Sequence, residues 1–341
     1  MKRAINKIAI ITIAFFFNSI SFANNKFEKR IFELNDEIIK KFSYLIKTVC
    51  TSKILFKNLE SHNSFPDFGS KEDWRVKCNQ IPKKKSSKTF KEFILKNFEF
   101  KQISNFPGLL TGYYEPIINV SHKKNELFKF PILKKNAVYN NKTRSFIERN
   151  FKNDDVILWT DNSINLFFLH IQGSGIGEFE DGKRVKVKYD GNNGLSYTSI
   201  GKILIKRKYL KKNNVNLFTI KDWLKENPKI SKDIMNLNER FIFFSYDSKT
   251  NSQPTGSSGA HLLPNYSIAV DKKIYPLGLP IFIDFLKDKS IIPSISLDTG
   301  AAIVGPNRAD LFLGQGRLAE KKAGILKEKI FLITLIPRVV K

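Results

Sequence analysis

Apolar residues along the first part of the chain return every three or four positions. Ile31, Leu34, Ile38, Phe42, Leu45 and Val49 share one face of a 3.6-residue period, which predicts an amphipathic helix over 27–58. Ser70-Lys71-Glu72-Asp73 is a helix-start signal ahead of Trp74, Val76 and Cys78, and Phe90, Phe93, Ile94 and Leu95 give helical spacing over 89–98. The lysine-rich link between them, from Pro82 to Ser87, reads as a solvated loop. Beyond Pro107-Gly108 the pattern shortens to apolar runs broken by turn residues. Strands are predicted over 109–114, 130–133, 156–159, 166–171 and 184–189, with Glu180-Asp181-Gly182-Lys183 as a hairpin turn. The stretch 204–237 is helical again, with Asp222-Trp223-Leu224 inside one helix and Asn227-Pro228 closing it. From Arg240 onward short strands return over 241–244, 267–270, 280–285, 295–297 and 330–336. No internal repeat is found. Helices at one end and many short strands elsewhere predict a mainly β chain with N-terminal helices, an α+β fold built on barrel or sandwich cores rather than βαβ units.

At 341 residues the chain is long enough for two domains, or for one domain carrying an insertion. With 42% hydrophobic residues, 30 of them Phe, it can bury a core and is not a disordered chain. The formal net charge of +26 suits polyanionic surroundings, although Lys, Asn, Ile and Phe are all abundant and a bias of composition explains the lysines equally well. Lys2, Arg3 and Lys7, the apolar run from Ile8 to Phe17 and the small-residue end Ser21-Phe22-Ala23 form a secretory leader over 1–23, cut after Ala23. The run is short for a membrane span, and an uncleaved anchor is the competing reading. No cysteine stands at the cleavage position. Of the exported residues only Cys50 and Cys78 are cysteines; they form either a disulfide or two buried thiols. There is no CxxC or HExxH, and His62, His122, His170 and His261 are scattered, so no metal is expected.

Candidate chemistry concentrates between Leu297 and Phe312. Asp298 and Asp310 stand where short apolar runs break at glycine and proline, which is how strand ends present carboxylates to a cleft. Asp298-Thr299-Gly300 is equally good turn chemistry. Gln172-Gly173-Ser174-Gly175-Ile176-Gly177 lacks the last glycine of a dinucleotide loop and the Lys-Ser/Thr of a phosphate loop; it reads as backbone that a ligand can approach, or as plain turns. Tyr189 to Gly201, with Tyr197 amid Asn, Ser and Thr, offers ring faces and neutral hydrogen-bonding groups of the kind a sugar needs, and so does Thr111-Gly112-Tyr113-Tyr114-Glu115-Pro116. Both also suit hairpin loops. No GxSxG occurs, and Ser257-Ser258 lies in a glycine-flanked loop without a histidine marked as base. A third acid, Asp271, ends Ala269-Val270-Asp271 ahead of Pro276-Leu277-Gly278.

Taken together these stretches resemble the membrane-bound lytic murein transglycosylase A family, whose C-terminal part is the three-aspartate domain. The likeness runs in order from about Trp74 to Pro337: the Thr111 to Pro116 stretch, Ile171 to Gly175, Tyr189 through Gly194 to Gly201, Asn238 to Phe244, the three aspartates Asp271, Asp298 and Asp310, and Ala319 to Gly324. The resemblance implies a double-psi β-barrel domain from residues 24–114 and 239–341, with a smaller β domain inserted over 115–238 as the other wall of a glycan groove. It implies cleavage of the β-1,4 bond between N-acetylmuramic acid and N-acetylglucosamine without water, leaving a 1,6-anhydromuramoyl end, and no cofactor. Many members carry a lipid-bearing cysteine; this chain has none at its leader. A periplasmic protein, peripheral to the outer membrane at most, is expected.

By position in the family Asp310 is the acid that then serves as base. Asp298 supports the site by hydrogen bonding or by stabilising developing positive charge, and like-charge repulsion from its carboxylate is expected to raise the pKa of Asp310. Asp271 and Gly300 are assigned structural parts, and Thr111, Tyr114, Gln172, Ser174, Tyr189 and Tyr197 the substrate. Peptidoglycan strands are the expected partner, with a wall-remodelling complex left open, no nucleic acid, and a monomeric state. Two competing readings are a barrel that binds glycan without cutting it, and an inverting hydrolase with two carboxylates separated by a water.

Overall fold

The computed structural model describes residues 27–62, 68–83, 86–247 and 253–338; the leader expected over 1–23 and part of the lysine-rich link lie outside them. The first helical stretch is broken where the sequence suggested one helix. Residues 27–33 are helical, and α1 (Asp36–Thr51) starts afresh because Asn35 accepts a hydrogen bond from Ile38 N at 2.9 Å, the work of an N-cap. After α2 (Ile54–Ser61) comes α3 (Lys71–Asn79), entered through a Ser70–Asp73 capping box, and then α4 (Ser87–Asn97). α1 buries Ile39, Phe42, Leu45, Ile46 and Val49, and the Phe42 ring meets Phe282 of the main sheet at 4.5 Å between centroids. Cys50 and Cys78 are joined as a disulfide that ties α1 to α3.

The chain then enters β1 (Phe98–Gln102) and β2 (Gly108–Glu115) and leaves for a second unit. That unit contains β3 (Ile117–Ser121), β4 (Phe130–Leu133), α5 (Arg144–Asn150), β5 (Val156–Thr160), α6 (Ser163–Gln172), β6 (Gly175–Glu178), β7 (Arg184–Asn192), α7 (Ile200–Lys206), α8 (Leu217–Glu226), α9 (Pro228–Asn236) and β8 (Ile242–Asp247). Its six strands pair in the order β4-β5-β3-β6-β7-β8. The strand predicted over 166–171 is in fact α6. Asn162 caps the amides of Ile164 and Asn165, and the helix is apolar all round because Leu169 joins the sheet core while Phe167 and Phe168 pack against α7 to α9. Because β8 pairs with β7, the chain is back in the first sheet only at β9, later than the boundary at 239 read from sequence.

The return supplies β9 (Ser267–Val270), β10 (Pro280–Phe285), β11 (Ile291–Thr299), β12 (Arg308–Gln315), α10 (Gly316–Ile325) and β13 (Lys327–Pro337). Strand order is β1-β13-β10-β11-β9-β12-β2, and β13 also pairs with β2, so six of the seven strands close into a ring with β1 appended. Closure removes the free edges of β2 and β13. Its core and the helical layer share one apolar cluster running from Phe27 and Ile31 through Trp74 and Phe98 to Phe282, Phe312 and Leu335. The α+β class expected from sequence, mostly sheet with helices at the N-terminus, is the observed one. Among the described residues no helix is long and apolar enough to cross a membrane.

Candidate active site

Register across the ring brings the two aspartates to one level. Asp298 of β11 pairs with Ala269 of β9, Ala269 pairs with Asp310 of β12, and Asp310 pairs with Thr111 of β2. Paired residues point to the same face of a sheet, so Asp298 and Asp310 stand side by side, two strand spacings or roughly 10 Å apart, across the small side chain of Ala269. A bulge between Ser296 and Asp298 adds the residue that turns Asp298 into this row.

The carboxyl of Asp310 is enclosed by protein although the residue keeps some access to solvent. Its Oδ1 accepts a 2.6 Å hydrogen bond from the Thr111 hydroxyl, which in turn accepts one from Arg308 Nη2 at 2.8 Å. Its Oδ2 accepts no hydrogen bond from the described residues. Burial pushes its pKa up to about 6 against the opposing pull of Arg308 and Thr111, and the Asp298 charge adds the smallest share. The like-charge repulsion expected from sequence is therefore a minor cause, and desolvation the main one.

Asp298 has the opposite character, because both of its oxygens are committed. Oδ1 accepts from Ser257 N (2.8 Å), Ser257 Oγ (2.7 Å) and its own neighbour Thr299 N (2.9 Å), and Oδ2 accepts from the Tyr113 phenol at 2.9 Å. The Ser257 loop lies this close because residue 256 is glycine: a Cβ there would sit 2.3 Å from the Leu297 carbonyl oxygen. Asp271 is buried away from this row. It accepts from Lys273 N (3.0 Å) and Gly305 N (2.9 Å), which pins the loop leading into β12. Gly300 opens the tight turn that ends in Ile303.

The remaining residues singled out in the sequence divide. Thr111 touches Asp310, and Tyr197, in the loop before α7, is near enough for the Asp310 charge to add to a phenol pKa already raised by burial and opposed by Ser199. Tyr114 faces the other way. Strand alternation turns it from Thr111 and Tyr113 into the interior, where its hydroxyl binds Glu320 at 2.9 Å. Gln172 accepts from Tyr114 N at 3.2 Å, and Ser174 donates to Glu115 at 3.3 Å; both knit the two units together. Tyr189 is 51% exposed and its hydroxyl accepts from Asn192. Three residues at the site carry no assignment from sequence: Tyr113, Arg308 and Ser257. The first two are signalled by period-two spacing from Thr111 and Asp310, whereas the Ser257 loop reads in sequence only as a place for a nucleophile that lacks its base.

No group of three or more His, Cys, Asp or Glu suited to a metal occurs among the described residues. A pocket of 260 Å³ between α1 and α4, lined by Ile39, Tyr44 and Phe90 among others, includes no carboxylate. The site in the ring can thus supply one enclosed carboxylic acid with a free oxygen, one fully coordinated carboxylate, and an arginine.

Two family models match the chain: the MltA specific insert domain over residues 109–245 and the 3D domain over residues 266–335. A membrane-bound lytic murein transglycosylase A homolog of Buchnera aphidicola is 31% identical over 349 residues, covering 95% of this chain and 93% of its own length. Membrane-bound lytic murein transglycosylase A of Vibrio cholerae is 32% identical over 233 residues, 64% of this chain and 62% of its own. Among solved structures, a membrane-bound lytic murein transglycosylase from Agrobacterium tumefaciens superposes with a TM-score of 0.73 at 24% identity, over 87% of this chain and 92% of the other. E. coli MltA with bound chitohexaose does so with a TM-score of 0.71 at 22% identity, over 90% and 91%. At such identities these structures speak for the fold.

Proposed function

Because the chain belongs to the membrane-bound lytic murein transglycosylase A family, we propose that it cuts peptidoglycan strands without water, with Asp310 as the single acid and base. In this reading the glycan lies between the row Asp298–Ala269–Asp310–Thr111 and the Tyr197 side of the unit inserted between β2 and β9. Asp310 gives its proton to the oxygen joining C1 of N-acetylmuramic acid to C4 of N-acetylglucosamine. The C1–O bond breaks, and positive charge develops at C1 and the ring oxygen. The C6 hydroxyl of the same sugar then closes on C1 and passes its proton to the Asp310 carboxylate. The acid is restored, and the products are a 1,6-anhydro end and a free 4-hydroxyl.

The supporting observation is the contrast between the two carboxyl groups. Asp310 has one oxygen without a hydrogen bond and a pKa about 6, so that an appreciable fraction carries a proton near neutral pH. Asp298 already accepts four hydrogen bonds. The two carboxylates share a row as the pair of an inverting hydrolase would, but the residue that would have to activate water has its oxygens occupied. Asp298 then serves as a fixed negative charge that orients Tyr113 and the Ser257 loop beside the developing positive charge. No cofactor enters the scheme, and we take the protein to act as a monomer exported by its leader into the compartment where murein lies. E. coli MltA has been crystallised with chitohexaose, which supports a glycan occupant for the groove.

Mass spectrometry of purified murein digested by the mature protein, beside Asp310→Ala, tests the proposal. Products one water lighter than hydrolytic muropeptides, absent with the variant, are expected. Reducing ends would make the protein a hydrolase, and binding without products a glycan-binding barrel.

A further inference from the structure

Hydrogen-bond bookkeeping around Asp310 assigns a part to Arg308. A threonine hydroxyl has one proton to give, whereas a guanidinium can only donate. Arg308 Nη2 lies 2.8 Å from Thr111 Oγ1, so at that contact the hydroxyl accepts. Its own proton is left to point at Asp310 Oδ1, 2.6 Å away. An oxygen that accepts this bond is the carbonyl-like oxygen of the acid, and the proton must then reside on Oδ2. Arg308 is held for the task, since its Nη1 donates to the backbone carbonyls of Leu109 (3.2 Å) and Ala309. Strand alternation explains the placement: Arg308 and Asp310 are two apart on β12, and their partners Leu109 and Thr111 are two apart on β2.

We propose that Arg308 is a positioning residue of this site, which by donating to Thr111 turns that hydroxyl onto Asp310 Oδ1 and so makes Oδ2 the oxygen that exchanges protons with the glycan. The inference rests on reading Asp310 as the acid. Without Arg308 the hydroxyl is free to rotate and accept from Asp310 instead, and the proton is shared between two oxygens of which only one faces the bond to be broken. The charged and titratable groups around the acid are Arg308 on its own strand, Tyr113 on β2, Asp298 on β11, Lys327 opposite Thr111 on β13, and Tyr197 of the second unit. Arg308 and Lys327 are the cations of this set, and only Arg308 touches the Thr111 hydroxyl.

The test uses the mature protein and the variants Arg308→Gln, Arg308→Lys, Thr111→Val, Thr111→Ser and the double variant Arg308→Gln/Thr111→Val. Anhydro-end formation is measured against pH, and the carboxyl of Asp310 is titrated by carbon NMR. Arg308→Gln and Thr111→Val should each lower kcat about tenfold or more with KM within about twofold, the loss expected for one charge-assisted contact. Both should move the alkaline limb of kcat/KM, and the NMR titration, upward by about one pH unit, because each removes a partner of the carboxylate. Thr111→Ser, which keeps the hydroxyl, should lose less than Thr111→Val in kcat and in the titration, and Arg308→Lys should keep the titration in place. In kcat the double variant should be no worse than Thr111→Val alone, since Arg308 positions the acid through Thr111, while its titration moves further up because the Arg308 charge also acts on Asp310 directly. A change confined to melting temperature, a rise in KM alone, or additive losses of kcat in the double variant would overturn the assignment. The NMR titration tests the coupling even if the products prove hydrolytic, which separates failure of this inference from failure of the transglycosylase reading.

Discussion

Asn307 is the residue through which closure of the ring should be measurable. Its side chain, 3% exposed, donates to the carbonyls of Ser104 (3.1 Å) and Phe106 (2.7 Å) and accepts from Leu332 N of β13 (2.8 Å). Its own carbonyl accepts from Leu109 N of β2 at 2.9 Å. One side chain thus joins β13 and the loop before β2 at the seam, three residues ahead of Asp310. In Asn307→Ala the two loop carbonyls can turn to water, because Ser104 and Phe106 lie in an exposed loop. Leu332 N cannot, being fully buried. Its lost partner costs about 2 kcal/mol and the two bonds that water can replace about 1 more, so the variant should lose about 3 kcal/mol. For a chain of this size that is about 4–5 °C in melting temperature, to be read by calorimetry and checked by a lower urea midpoint at unchanged m-value. Gly108→Ala should destabilise the same seam, since its Cβ would fall 1.8 Å from the Asn307 carbonyl oxygen. A fall below about 2 °C for Asn307→Ala would show that water or backbone adjustment satisfies Leu332 N, and the account of the seam would be wrong.

Asp310→Asn should stabilise the protein at neutral pH. The folded-state pKa of about 6 lies above the ordinary carboxyl value of 3.8, so the stabilisation that comes from protonating Asp310 is complete below about pH 4 and is lost as pH rises through 6. The variant should therefore gain at most about 3 kcal/mol at pH 7.5 and only about 0.5 kcal/mol at pH 4, and an equal gain in urea midpoint at both pH values would contradict the burial argument. Tyr113→Phe should keep glycan binding while lowering kcat about tenfold, since it removes the phenol bonded to Asp298 Oδ2; a rise in KM with unchanged kcat would place Tyr113 in binding instead. Reducing the Cys50–Cys78 disulfide, which spans 28 residues, should cost about 3–4 kcal/mol on loop-closure grounds, and thermal unfolding with and without a reductant would show no difference if that were mistaken.

Period and caps make the helical layer and most of the ring legible in the sequence. The failures have physical causes. A run such as Leu166 to Ile171 shows no period when both of its sides are buried, and the deciding signal is the Asn162 cap upstream. β12 escapes a reading by pattern because Arg308 and Asp310, which line the site, and Gln315, which bonds Glu115, interrupt its apolar positions with polar side chains. The aspartates themselves stand out, and Thr111 with them; Tyr113 and Arg308 follow from alternation once the strands are known. Tyr114 is the instructive case: expected beside Thr111, it lies on the opposite face of β2, because residues three apart on a strand alternate. The contact of Ser257 with Asp298 spans 41 residues of sequence and depends on how a loop folds back, which no local pattern reports. Nor does a sequence reveal that burial, rather than the second aspartate, raises the acid's pKa.

β2 is the element on which both the chemistry and the placement of the second unit depend. Thr111, Tyr113 and Glu115 are spaced by two on the same face, and they meet in turn Asp310, Asp298 and the buried amine of Lys186 on β7. Glu115 also accepts from Ser174 and Gln315, so the end of this strand ties β12 to the inserted unit. On the opposite face Tyr114 binds Glu320 of α10, which is paired at 2.5 Å with Lys221 of α8. Two polar networks therefore cross between the units, one from each face of the strand that holds the acid's partner. Buried ion pairs recover little more than the hydration they give up, and a well-packed apolar pair could serve stability as well. What an apolar pair would not supply is direction. Fixed hydrogen-bond geometry on both faces holds the inserted unit against β2, and on the proposed reading of Asp310 as proton donor the wall opposite it has to be held as closely as the donor itself.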